Sequence, residues 1–283
     1  MNKINNGLAY LSFALILLLG SCADSTGTNK SVDNTQNIEV YSDSLNAWFD
    51  EQFDAELAYQ PEFKTRLGIE GEHNALWSDA SGEAEAAALE RIKERLNYLE
   101  TIDTLRLNPQ TKLSYQMAKD SYRDAIANYE FRLYDYPFNQ MFGAQSGLPA
   151  FMINMHKVKN QKDAEQYIAR LKGMKPYMEQ LIENVKLRER NGIVPPLFVF
   201  GMVLDDSRNV LKGKPFDENA GDANFLLKDF MTKVESLEVD STIKDKLLAE
   251  AKTALLDSVR PAYEQLIATF EDQQKRATAD DGV

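Results

Sequence analysis

Residues 160–192 read NQKDAEQYIARLKGMKPYMEQLIENVKLRERNG. Ile168, Leu171, Met174, Met178, Leu181 and Val185 recur at steps of three and four, which puts them on one face of a helix of 3.6 residues per turn. Charged residues fill the opposite face. Asn160 stands where a side-chain oxygen would cap the first turn, and Gly192 just past the end, where a left-handed residue closes a helix. Gly173 and Pro176 interrupt the middle. Proline lacks the N–H and crowds the carbonyl four residues back, so the pair predicts a kink or a split into two helices.

The same period recurs on both sides. Leu45, Trp48, Phe49, Phe53 and Leu57 share a face ahead of Pro61, and residues 61–67 form a short further turn stopped by Gly68. Leu89, Ile92, Leu96, Leu99 and Ile102 mark another helix, with Glu83 and Glu85 suited to the positive end of its dipole. Asn108 and Pro109 are a cap and first-turn pair. They open a stripe of Tyr115, Ala118, Tyr122, Ile126, Tyr129 and Leu133. Further helices are expected over residues 196–211, 222–237 and 240–276, the last bent at Pro261. Residues 194–200 have strand-like composition, but the double proline favours a helix start. No run alternates in the manner of a half-buried strand, and no hairpin turn joins two such runs. The fold class is all-α.

The chain begins differently. Lys3 is the only charge in residues 1–6, residues 8–19 are apolar or small, and Leu19-Gly20-Ser21-Cys22 follows. A positive start, a short apolar run and small residues before a cut site describe a secretory signal over residues 1–21. The run is short of the roughly 20 apolar residues that a bilayer core demands. The last four residues resemble the lipobox of bacterial lipoproteins, which implies acylation of Cys22 as the new N-terminus. A free thiol beside an ordinary cleavage site is the alternative. Cys22 is the single cysteine, so no disulfide within the chain competes for it. Residues 22–37 are polar and read as a disordered, lipidated linker, ahead of a helical domain over residues 38–283. The expected location is the cell envelope, membrane-anchored, on the periplasmic or cell-surface face.

The chain carries 32 basic and 44 acidic residues, and removal of Lys3 with the signal takes its net charge from −12 to −13. A chain this acidic, without a basic stripe, is repelled by phosphate backbones, which excludes nucleic acid as a partner class. Chemistry is sparse. His73 and His156 are the two histidines and lie in different segments, whereas a zinc site needs ligands at fixed spacing. Both read more simply as solvated or core-capping. No glycine-rich phosphate loop or Gly-x-Ser-x-Gly elbow occurs. Asp205-Asp206 and Asp217-Glu218 point about 100° apart on a helix and read as solvated faces.

Residues 134–151, YDYPFNQMFGAQSGLPAF, break the pattern. An ordered loop of this length inside a domain is functional or buried. Amides among aromatics could line a peptide or ligand cleft, and they could equally cap neighbouring helices.

Several motifs in order carry a resemblance. Pro61-x-x-x-Thr65-x-Leu67-Gly68 is followed by Phe138-Asn139-Gln140 with Gly143, and by Asp163-Ala164-x-x-Tyr167-x-x-Arg170-Leu171. Gly192-Ile193-Val194-Pro195-Pro196 and Arg260-Pro261-Ala262-Tyr263-x-x-Leu266 complete the series. The chain resembles the N-terminal half of the domain-of-unknown-function 885 family. Its members are similar to gluzincin-type zinc metallopeptidases, and their His-Glu-x-x-His helix lies in a second half. The resemblance implies a helical zincin-like fold truncated before that helix, with no catalytic or metal residue here and zinc only with the other half. It implies a possible cleft wall at Asn139, Gln140, Gly143 and His156. Two readings follow: a non-catalytic half of a metallopeptidase-like lipoprotein, or a stand-alone lipoprotein that binds a peptide or other ligand.

Overall fold

A computed structural model describes residues 28–278. Residues 1–21, expected to be a signal sequence, and Cys22 lie outside the described residues. Helix α1 (Thr28–Leu57) is followed by α2 (Pro61–Arg66), α3 (Gly82–Glu100), α4 (Pro109–Asn128), α5 (Ala144–Asn154), α6 (Gln161–Arg190), α7 (Leu197–Val210), α8 (Phe225–Glu235), α9 (Ser241–Ala254) and α10 (Arg260–Gln274). Short 3₁₀ turns fill three of the connections. Among the described residues there is no strand, only an isolated bridge between Lys214 and Ala223. The domain is all-α.

The main core surrounds α6. Ile168, Leu171, Met174, Met178 and Ile182 are buried against α9 and α10, with α5 and α7 closing the far side. A smaller core of Leu45, Leu99, Leu107 and Tyr115 joins α1, α3 and α4 into a separate layer. Asn108 and Asn160 cap as their side chains dictate, accepting from the N–H of Thr111 at 2.8 Å and of Asp163 at 3.0 Å.

Five expectations change. Helix α1 begins at Thr28, inside the stretch read as a disordered linker. Extending a packed helix adds one hydrogen bond per residue without a new nucleation cost. Phe53, placed on the inner face of α1, is exposed. Helix α6 runs unbroken through Gly173 and Pro176. Gly173 is not a breaker but a docking spot: a Cβ there would stand 3.1 Å from Trp77 Cδ1. Residues 144–154 are helix α5, which takes up the second half of the 134–151 stretch that the sequence reads as a loop. The C-terminal segment does not simply bend at Pro261. A π-turn, Leu255–Val259, separates α9 from α10, with the N–H of Arg260 reaching back to the carbonyl of Leu255. Winding one turn wide absorbs the proline, which has no N–H to give.

Candidate functional site

Arg170 stands in the apolar row of α6, three residues after Tyr167, and is 0% exposed. Its guanidinium donates to the carbonyls of Leu76 at 3.0 Å and His73 at 2.9 Å, and to Thr65 Oγ1 at 3.1 Å. A fourth contact, at 3.1 Å, meets His156 Nδ1. The rings of Trp77 and Phe151 lie against the cation at 5.4 and 5.0 Å. A buried cation demands this many acceptors, because each unmet donor would carry its desolvation cost. Burial and the Arg170 charge push His156 down to about 3, so its ring is neutral at ordinary pH. Burial also lowers Arg170, to about 10, which leaves it protonated. The cluster bolts residues 61–78 onto α6.

The bolted segment forms one side of an open groove of about 760 Å³. Trp77 donates from Nε1 to the carbonyl of Arg170 at 2.8 Å and stacks on Tyr177 at 5.5 Å. Gln180 and Asn184 of α6 hold the next residues, accepting from the Ala80 N–H at 2.9 Å and donating to the Ala80 carbonyl at 2.7 Å. Glu62 accepts from the backbone and the hydroxyl of Ser78. The opposite side is α3, which presents Ala84, Ala87 and Ala88. Those methyl groups are too small to fill the space, and the groove is what they leave open.

Charges at the groove are mostly engaged. Arg91 lies 3.8 Å over the Tyr59 ring and pairs with Glu56 at 3.3 Å; Arg95 pairs with the same carboxylate at 2.8 Å. Burial alone would raise Glu56, but the two arginines outweigh it and hold the carboxyl below its usual range. Arg188 donates to the carbonyls of Asp135, Arg132 and Asn184. Asp79 is held low first by the Ser81 N–H, and stays ionised at the rim. Tyr59, Leu76 and Trp77 supply apolar surface. The arrangement offers an open surface, apolar at its floor and ringed by charges that are mostly already paired. Among the described residues, no three His, Cys, Asp or Glu side chains gather as a metal site would.

Of the anticipated cleft wall, Asn139, Gln140 and Gly143 fall together and His156 does not join them. Asn139 Oδ1 accepts from the N–H groups of Met141 at 3.0 Å and Phe142 at 2.8 Å, and its carbonyl accepts from Gln145 Nε2 at 2.6 Å. Gln140 is exposed and Gly143 buried. His156 sits beyond the other end of α5, about 16 Å along the helix axis, sealed behind Arg170. It lines no open cleft. Trp77 escapes the sequence reading. Arg170 stands there only as part of a motif, although an arginine inside an apolar row was an available signal, and Gln145 belongs to the amides read as lining a cleft or capping helices.

The family model described as a bacterial protein of unknown function (DUF885) matches residues 61–282. No curated protein matches. Among solved structures, one described as a lipoprotein from Colwellia psychrerythraea superposes with a TM-score of 0.67 at 18% identity, over 86% of this chain and 42% of that one. At that identity the likeness is one of fold. The chain spans less than half the length of that protein.

Proposed function

Because the chain belongs to the DUF885 family of bacterial proteins, we propose that it is an exported lipoprotein of the cell envelope whose helical domain forms a non-catalytic wall of a peptide-binding cleft. The groove between α3 and the residues around Trp77 carries this reading. It combines the apolar surface of Leu76 and the rings of Tyr59 and Trp77 with unfilled space and a polar rim, a mixture that binding sites share. The Leu19–Cys22 sequence supports the anchor, as does the description of the Colwellia structure as a lipoprotein. Hydrolysis, where the resemblance to gluzincin-type peptidases extends to this protein, comes from a second body bearing the zinc helix.

Two measurements test it. Cys22→Ser should abolish palmitate labelling and release the protein from membranes or leave it uncleaved; equal labelling of variant and parent rejects the anchor. In a Trp48→Phe background, Trp77 is the one remaining indole, and its emission should respond to peptide. Ala87→Met would fill the groove without adding an indole and should abolish the response. A response that survives that substitution places binding elsewhere.

A second reading, a stand-alone binding lipoprotein, is favoured by the pairing of the groove's charges within the domain, Arg91 and Arg95 on Glu56 and Arg188 on three carbonyls. The two readings separate by whether peptide affinity needs a companion polypeptide.

A further inference from the structure

The basic side chains at the groove are engaged, and the charges left unpaired there are acidic. Arg91 serves Glu56 and the Tyr59 ring, and Arg188 serves three backbone carbonyls. His73 adds no charge at neutral pH: burial holds its ring below the ordinary value, and its Nε2 stands 2.9 Å from the Ile69 carbonyl. Asp79 and Glu83 also line the groove, and both are exposed. Among the described residues, the groove's ion pairs are Arg91 and Arg95 with Glu56 and Arg132 with Glu85, and they include neither of these two acids.

Local structure fixes where the two acids stand. Asp79 Oδ1 accepts from the Ser81 N–H at 2.9 Å and from Gln180 Nε2 at 3.0 Å, which pins the carboxylate between the start of α3 and α6 and keeps it ionised. Glu83 lies in the first turn of α3, four residues before Ala87 and so in the same row of that helix. A helix start carries about half a positive charge, and Ser81 already accepts from the Ala84 N–H there at 3.2 Å. Two full negative charges outweigh that half charge, so this end of the groove is electronegative. The chain as a whole stands at −12, and the wider field has the same sign. Trp77, two residues before Asp79, and Leu76 supply the adjoining apolar surface.

We propose that the groove takes a cationic peptide segment, with a lysine or arginine at the Asp79–Glu83 end and an apolar side chain against Leu76 and Trp77. The inference rests on the reading of the groove as a peptide site and adds the charge of its ligand. An anionic segment would meet two carboxylates and no unpaired cation. A metal ion is a poorer occupant than a peptide, because no three His, Cys, Asp or Glu side chains gather among the described residues. Exposed ion pairs are individually weak, so the selectivity comes from two carboxylates acting at one end of a walled groove, where field lines are focused.

The test follows Trp77 emission in the Trp48→Phe background, where it is the one indole. Three peptides without tryptophan share one length and one apolar sequence and differ at two positions, filled by lysine, glutamine or glutamate. The lysine peptide should bind on the order of tenfold tighter than the glutamate peptide, with glutamine between them, and added salt should shrink the spread. Asp79→Asn, which keeps an oxygen for Ser81 and Gln180, and Glu83→Gln should each weaken the lysine peptide about threefold and leave the glutamine peptide unchanged. Asp245, an exposed carboxylate of α9 outside the groove lining, is the control, and Asp245→Asn should change neither. Equal binding of all three peptides, or tightest binding of the glutamate one, overturns the proposal and leaves the groove as a peptide site. An equal loss in Asp245→Asn would trace the preference to the domain's net charge and overturns it as well. Silence of Trp77 towards every peptide overturns both the proposal and the peptide reading, so the two failures are told apart.

Discussion

The hydroxyl of Tyr263 donates at 2.7 Å to the carbonyl of Gln145, the oxygen that Pro149 leaves without its helical partner. In an uninterrupted α-helix that carbonyl would accept from the N–H four residues later, which proline does not have. Helix α5 therefore tolerates an internal proline because a side chain of α10 replaces the missing donor. Burial and the Asp206 charge raise the tyrosine well above its ordinary value, so the donor stays protonated.

This relationship predicts a coupled pair. Tyr263→Phe should cost about 1–3 kcal/mol, the penalty for an orphaned buried carbonyl. Pro149→Ala restores a backbone donor, so the same tyrosine substitution should cost markedly less in that background. Urea midpoints of the four proteins measure it. Additive losses would mean that the two residues do not share the Gln145 oxygen.

The His156 ring predicts acid sensitivity. It holds its proton only below about pH 3 when folded, against an ordinary value near 6.5 in the unfolded chain. Below pH 6.5 the unfolded state therefore binds a proton that the folded state refuses, and stability falls as the pH drops towards 3. Between pH 6.5 and 4.5 the loss from this group should be about 2 kcal/mol. His156→Gln should lose correspondingly less over the same interval, with the carboxylate contribution common to both. Parallel stability curves for parent and variant would refute the assignment.

Gly143→Ala should destabilise by about 2–3 kcal/mol, the range for forcing an atom into a filled site. Its backbone angles are ordinary, so the cost comes from the collision with Gln145 and Asn139. Proteolysis should then concentrate within residues 139–143. An alanine variant as stable as the parent would mean that the turn relaxes without cost.

Purified residues 28–283 should bind no stoichiometric zinc and cleave no peptide library above background. A catalytic zinc needs three protein ligands, and both imidazoles are already engaged, His73 Nε2 at 2.9 Å from the Ile69 carbonyl and His156 on Arg170. Metal analysis and a chelator-sensitive activity assay decide this; tight zinc binding would return attention to both histidines.

Much of the architecture was legible because helices announce themselves locally. Asn108 and Asn160 cap through their own side chains, and the apolar row of α6 needs no distant partner to be seen. Helix α5 was not legible for the opposite reason. Gly143, Gly147 and Pro149 look like breakers, and the donor that makes the proline acceptable arrives more than a hundred residues later. The groove was hidden because it consists of what Ala84, Ala87 and Ala88 do not fill. Arg170 was quoted within a motif, yet only the folded chain shows the carbonyls of His73 and Leu76 turned towards it. The resemblance offers His156 as a possible cleft wall, whereas its residue type alone reads as core-capping, and the structure buries it against that arginine.

The π-turn at Leu255–Val259 also keeps two buried stripes in phase. Leu247, Ala251 and Ala254 lie on one side of it and Ala262, Tyr263, Leu266 and Phe270 on the other, all of them buried. Each residue turns a helix by about 100°, so one residue added to a uniform helix would swing everything beyond it off the core. The wide turn takes up one residue locally instead, and Tyr263 stays on Gln145 and Phe270 against Phe138 and Phe200. A one-residue deletion is therefore tolerable inside this turn, where it leaves an ordinary helix with the same faces inward, and costly on either side of it.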